Sequence, residues 1–299
     1  MCRSQFSTPL CFALLMSIIL ASLPAVAYSQ SLDTIRYEAT TPTPRSSGGG
    51  WSGGDGGSSS SCDDDDDSFG DELAGELFGY VFGMMFKGVV YGVSNIAFQY
   101  DDHIENSGDS EFFFAHYPYA DGLDGYMFDE QLGVRPEKRG QSVWFEYGHD
   151  LDQIQRYSVK FLHENPDGWN FDGEWSFFSE ELGTGNSDNL HIGDVNVLVP
   201  LIQTESVTAY WGGGVNWLVA GGDEEYGWNS TLKFNAFPRR PWILSGEFDF
   251  GELGSVHQVH TALSTGRNWK HGEVFIGYDY RKIGSTELHG PMLGGRLWW

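Results

Sequence analysis

From Gln141 to the last residue, apolar and polar side chains alternate with a period of two. That spacing sends successive side chains to opposite faces of a β-strand. The clearest run is Trp169 to Phe177, where Trp169, Phe171, Gly173, Trp175 and Phe177 oppose Asn170, Asp172, Glu174 and Ser176. Val143, Phe145 and Tyr147 oppose Trp144 and Glu146; Tyr157, Val159 and Phe161 oppose Arg156, Ser158 and Lys160. Further on, Val195 and Val197 oppose Asp194 and Asn196, and Leu232 and Phe234 oppose Thr231, Lys233 and Asn235. Phe248 and Phe250 oppose Glu247 and Asp249, while the run from Val256 to Thr265 is the weakest. Val274, Ile276, Tyr278 and Tyr280 oppose Glu273, Asp279 and Arg281. In the final stretch, Leu293, Gly295, Leu297 and Trp299 share one side, and Met292, Gly294, Arg296 and Trp298 the other. The series predicts about ten strands, each near the roughly 9–11 residues that a tilted membrane strand requires.

The residues before Gln141 follow other patterns. Met1 to Ala27 has a positive start at Arg3, an apolar run from Leu10 to Leu23 and a small-x-small site at Ala25-Val26-Ala27. These are the parts of a secretory signal, cleaved near Ala27. Gln30 to Ser68 is Gly, Ser, Pro and Asp, too polar to offset its ordering entropy. Between Asp71 and Tyr100 the period changes to three and four, with Glu72, Glu76, Gly79, Gly83 and Lys87 striping a wide apolar surface. A helix with that many glycines needs a surface to lie on. A membrane interface, the side of a barrel, a like helix packed at its glycines or a small subdomain would each supply one. The expected organisation is a signal peptide over 1–27, a disordered linker over 28–70, a Gly-rich amphipathic helix over 71–100, an irregular connector over 101–140 and a β-domain over 141–299.

The joints add a second regularity. Asn165 to Gly168, Gln203 to Glu205 and Pro238 to Pro241 read as compact turns at every second joint. Glu180 to Asn189 and Gly221 to Tyr226, between them, read as longer polar loops. Short turns on one side and longer loops on the other suit an up-and-down membrane barrel, and an even strand count puts both ends of the domain on the periplasmic side.

Composition narrows the function classes. Forty-two acidic residues against 17 basic ones give a formal charge of -25, which excludes a nucleic-acid partner that would need clustered Lys and Arg. Cys2 and Cys11 fall in the signal, leaving Cys62 as one thiol without an internal partner. The Asp63 to Asp67 run has calcium-type ligands, but Ser68 stands where an EF-hand loop needs Gly. Gly50-Trp51-Ser52-Gly53-Gly54 matches the nucleophile elbow by letter, without the strand before it or the helix after it. His257 and His260 are three apart and point to opposite faces of a strand. His149, His163, His191, His271 and His289 fall near strand ends or loops, and no metalloprotease, P-loop or dinucleotide motif occurs. No cofactor, metal ligand or catalytic residue is predicted.

What separates the fold alternatives is the side on which the charges lie. A soluble domain turns its apolar face inward; a membrane barrel turns it outward and must satisfy the inward charges among themselves. The heavy load of Trp and Tyr on the apolar face favours the second arrangement. Glu174, Asp194, Lys233, Glu247, Asp279, Arg281 and Arg296 then form the expected lumen network.

From Gln141 to Trp299 the chain resembles the small bacterial outer-membrane barrels of the OmpA/OmpX class, on its export signal, its dyad-alternating strands and its terminal LGGRLWW. The resemblance implies an all-β fold, an up-and-down antiparallel transmembrane β-barrel of about 8–10 strands in contact with outer-membrane lipid. It also implies that the barrel-assembly machinery reads the last strand, with Leu297 and Trp299 as its signal. A non-enzymatic structural or surface-contact protein is the expected function. A small passive pore, a lipid-modifying enzyme and a soluble secreted β-domain binding a small ligand are the alternatives. Self-association through the Gly-rich helix is a further expectation.

Overall fold

The computed structural model of the protein describes residues 31–41, 112–129, 139–150, 153–165, 168–182 and 186–299. The signal peptide, the Gly50–Gly54 elbow match, Cys62, the aspartate run and the Gly-rich helix lie outside the described residues.

A helix, α1 (Ser31–Thr40), comes first. Next are two three-residue strands, β1 (Phe112–Phe114) and β2 (Met127–Asp129), paired antiparallel around a short 3-10 turn at Ala120–Gly122. The barrel strands follow: β3 (Gly140–His149), β4 (Ile154–Glu164), β5 (Asn170–Leu182), β6 (Asn186–Gln203) and β7 (Val207–Ala220). They continue with β8 (Asp223–Arg239), β9 (Trp242–Leu253), β10 (Val256–Trp269), β11 (Gly272–Ile283) and β12 (Thr286–Trp298). Each pairs antiparallel with its neighbours in sequence, and β12 pairs back onto β3, with Leu293 opposite Tyr147 and Arg296 opposite Trp144. Ten strands therefore close into an up-and-down barrel with no free sheet edge.

The faces run in the order expected for a membrane. Phe145, Tyr157, Trp175, Val195, Trp228 and Ile276 are exposed on the outside, and the residues between them are buried polar groups such as Glu146, Ser158, Glu174, Asp194, Asn229 and Asp279. This is the arrangement of an outer-membrane β-barrel, in which acyl chains cover the apolar wall. The soluble alternative, with its apolar face inward, has the wrong sidedness.

The two mouths differ from expectation, and they can be told apart by the chain ends. At the terminal mouth, where β3 begins and β12 ends, residues 112–129 are not a formless connector. Phe113, Phe114, Tyr119, Tyr126 and Phe128 pack against Phe237, Ile243 and Trp298 of the barrel wall. At the far mouth, Ser31–Thr40 is helical within the stretch expected to be a disordered linker. Leu32, Ile35 and Ala39 form one helical stripe, buried among wall residues that include Ile154, Phe178, Leu190, Leu218, Leu253 and Ile283.

A ten-residue helix is marginal by itself, and the barrel clamps this one at both ends. The Glu180 carboxylate accepts the backbone N–H groups of Ser31 and Leu32, each at 3.1 Å. At the other end the N–H of Ser255 donates to the Ala39 carbonyl at 3.1 Å. Composition correctly flags the polarity of this segment but misses the distant surface that covers its stripe.

The expected long loops at the far mouth are also corrected. Glu180 pairs with Asp188, and Ala220 with Asp223, so the hydrogen-bonded ladders continue through these polar stretches. The turn between β7 and β8 is Gly221-Gly222, both at positive φ, a conformation that glycine adopts without steric cost. At the start of β8 both faces are exposed, and at Glu180 the inner face binds α1, so polarity at this mouth does not signal a loop.

Candidate functional site

The lumen is the part of the molecule with unusual chemistry, and alternate residues on every barrel strand build it. At its centre the Lys160 ammonium reaches three carboxylates, Glu247 at 2.7 Å, Glu174 at 3.2 Å and Glu146 at 3.6 Å. Arg281 donates to Glu174 at 2.8 Å. Arg156 lies 3.4 Å from Glu146 and 3.3 Å from Asp279. Lys233 pairs with Asp172 at 2.8 Å and also contacts Glu247. These groups come from strands around the whole barrel, so the pairs cross the lumen as well as joining neighbours.

His260 bridges two acids. Its Nδ1 lies 2.7 Å from Asp249 and its Nε2 2.8 Å from Asp279. With carboxylates on both ring nitrogens, the ring fills both contacts as donor only when doubly protonated. His257 faces outward, so the two histidines sit on opposite faces.

Arg296 occupies a separate layer nearer the terminal mouth. Its guanidinium stacks between Trp144 and Trp298, at 3.7 and 3.4 Å from the ring centroids, and donates to Asn235 at 2.8 Å. Below it Tyr126 faces the Glu164 carboxylate, and burial beside that acid holds the phenol well above its usual range. Tyr126 thus stays protonated at the wall.

All seven residues predicted for the lumen line it. Glu174 meets Arg281, and Glu247 meets Lys233. Asp279 is drawn instead to Arg156 and His260, and Arg296 is held mainly by rings. Asp194 accepts a hydrogen bond from Asn196 at 2.7 Å. Beyond those seven, the network takes in Asp172, Arg156, Asp249 and His260, with Glu146 and Lys160 at its centre. All but His260 share the alternation of their neighbours and were legible in it, whereas His260 sits in the weakest run of the chain. Leu297 and Trp299, expected as the assembly signal, are exposed on the outer face beside buried Trp298.

Two features bear on what the lumen can do. Glu174, Glu247 and His260 place ligand-type atoms within 4.8 Å of one another. The Lys160 ammonium already lies against both glutamates, and both His260 nitrogens are engaged, so protein cations take the place of a metal there. A cavity of about 40 Å³ remains beside Glu146, Lys160, Lys233 and Glu247, room for a few waters. It lies between the α1 mouth and the aromatic mouth.

No protein family matches the sequence, and no curated protein is similar to it. Among solved structures similar to the chain is the outer membrane protein Ail of Yersinia pestis in a phospholipid bilayer nanodisc. The two are 12% identical over 54% of this chain and 99% of Ail, with a TM-score of 0.32. CdiB from Acinetobacter baumannii is 8% identical over 60% of this chain and 44% of its own, with a TM-score of 0.29. The outer membrane protease OmpT from Escherichia coli is 7% identical over 54% of this chain and 90% of its own, with a TM-score of 0.27. At such low identity the barrel assignment rests on the strand register and the inverted faces.

Proposed function

We propose that the protein is a non-enzymatic outer-membrane barrel with a structural or surface-contact role, its lumen closed to solute passage. The observation that carries this reading is a lumen cross-linked by ion pairs and covered at both mouths. Ten strands enclose little space compared with porins of 16–18 strands, and here that space holds charged side chains in contact. His260, Asp249 and Asp279 are buried and hydrogen-bonded to one another, which suits a structural link in the lumen. In this reading the terminal mouth faces the periplasm and α1 sits at the outer surface. The export signal is cleaved near Ala27, and the assembly machinery reads Leu297 and Trp299.

Single-channel recording in planar bilayers tests the reading. The purified barrel is expected to show no stable openings; stable openings would assign it as a passive pore. Lipid analysis of a deletion strain tests the non-enzymatic part, with an unchanged acyl pattern expected and an altered one pointing to a lipid-modifying enzyme.

A further inference from the structure

The lumen carries more acid than base. Among the described buried residues nine are carboxylates and five are Lys or Arg. Even a charged His260 leaves carboxylates without a counter-charge in an interior with little room for water. The deficit concentrates at Asp194. Its side chain accepts one hydrogen bond, from Asn196 Nδ2, and the charges acting on it are led by Glu174, Asp249 and Asp172, with Lys233 behind them.

Around this carboxylate stand carboxamides with unused capacity. Asn216 is directly opposite Asp194 in the β6–β7 register. It is 0% exposed, and neither its Oδ1 nor its Nδ2 has a hydrogen-bond partner. Asn229 donates to Asn196 at 3.3 Å while its own Oδ1, also buried, is unpartnered. A fully buried amide with both ends unpartnered is rare, because each lost bond costs the desolvation of that atom. Of these atoms, the Asn216 and Asn229 carbonyl oxygens are the ones that a cation shared with the Asp194 carboxylate would use.

The donors are all oxygens, one anionic and the others neutral, with no thiol and no free imidazole among them. Such a set selects a hard cation, and flexible Asp and Asn side chains suit calcium better than magnesium, which demands near-ideal octahedral geometry. The next inward residues toward the far mouth, Ile192 and Leu218, belong to the apolar cluster that packs on α1. We infer that the lumen binds one calcium ion at Asp194, with Asn216 and Asn229 as neutral ligands, sealed beneath α1.

The test uses the full chain purified in detergent, stripped with a chelator, equilibrated with calcium chloride and desalted, with metal content measured by mass spectrometry. The wild type is expected to retain about one calcium per chain, in keeping with a single oxygen-ligand site. Asp194→Asn and Asn216→Ala are expected to lose it while keeping the heat-dependent gel mobility of a folded barrel. A wild type that retains no calcium, or an Asp194→Asn variant that retains as much, overturns the site. So does an infrared band of a protonated carboxyl group that persists with calcium and disappears in Asp194→Asn, because a proton would then neutralise this residue. Deleting residues 31–41 is expected to speed calcium release into chelator by at least about tenfold, comparable to the loss from removing an outer-shell support. An unchanged release rate would overturn the placement beneath α1.

Discussion

The two mouths of the barrel are closed by opposite strategies. At the far mouth the wall is mainly aliphatic and receives the smooth stripe of a helix, Leu32, Ile35 and Ala39. At the terminal mouth it is aromatic and receives an irregular segment through tilted and edge-on ring contacts, with Tyr126 4.8 Å from Trp298 and Tyr119 6.1 Å from Phe237. Aliphatic packing is non-directional, so α1 also needs clamps at its ends, which Glu180 and Ser255 supply. Ring contacts are directional and orient their segment themselves. The tethers differ too. Glu180 lies 149 residues from Ser31, its partner on α1, whereas the aromatic segment ends close before β3. The far closure is therefore a separable unit, and the terminal closure is continuous with the wall.

That contrast can be broken most forcefully at Trp298, which belongs both to β12 and to the aromatic cluster. Trp298→Ala is expected to cost about 3–5 kcal/mol of barrel stability, read as a lowered denaturation midpoint in detergent. A midpoint within error of wild type would mean that the cluster contributes nothing to the wall. Ile35→Ala removes a comparable contact from the far mouth, worth about 2–5 kcal/mol at the site. Its loss should appear as faster protease cutting in α1 with the global midpoint unchanged, as for a locally opening unit. If the midpoint falls as far as with Trp298→Ala, the far closure is not separable.

Glu180→Gln sharpens the role of the clamp. Weakening the charge-assisted bonds to the Ser31 and Leu32 amides should cost about 1–2 kcal/mol of α1 protection, measured by hydrogen exchange of those amides. Equal protection in the variant would assign the whole docking energy to the apolar stripe. The smallest effect is expected at Tyr37, which is 69% exposed on the same helix. Tyr37→Ser should change α1 protection by less than about 0.5 kcal/mol, and a larger change would reveal a contact on the helix's outer side.

Sequence by itself determined the wall. A period of two with rings on one side and both charge signs on the other admits few arrangements, and it located the strands and the closing segment and turned the charges inward. It carried Arg156, Asp172 and Asp249 as well, because each shares the phase of its strand. It did not reveal α1, whose three stripe residues in a polar decapeptide have meaning only against a socket assembled from distant strands. It did not reveal the aromatic closure either, since Phe113 to Phe128 has no period to read and takes its shape from Phe237 and Trp298. The ladders past Glu180 and Gly221 were hidden because β8 starts exposed on both faces and Glu180 turns inward to bind α1. Which charges meet was likewise decided only by closure: Asp279 with Arg156, and His260 between two acids, depend on how strands distant in sequence are brought round one narrow cylinder.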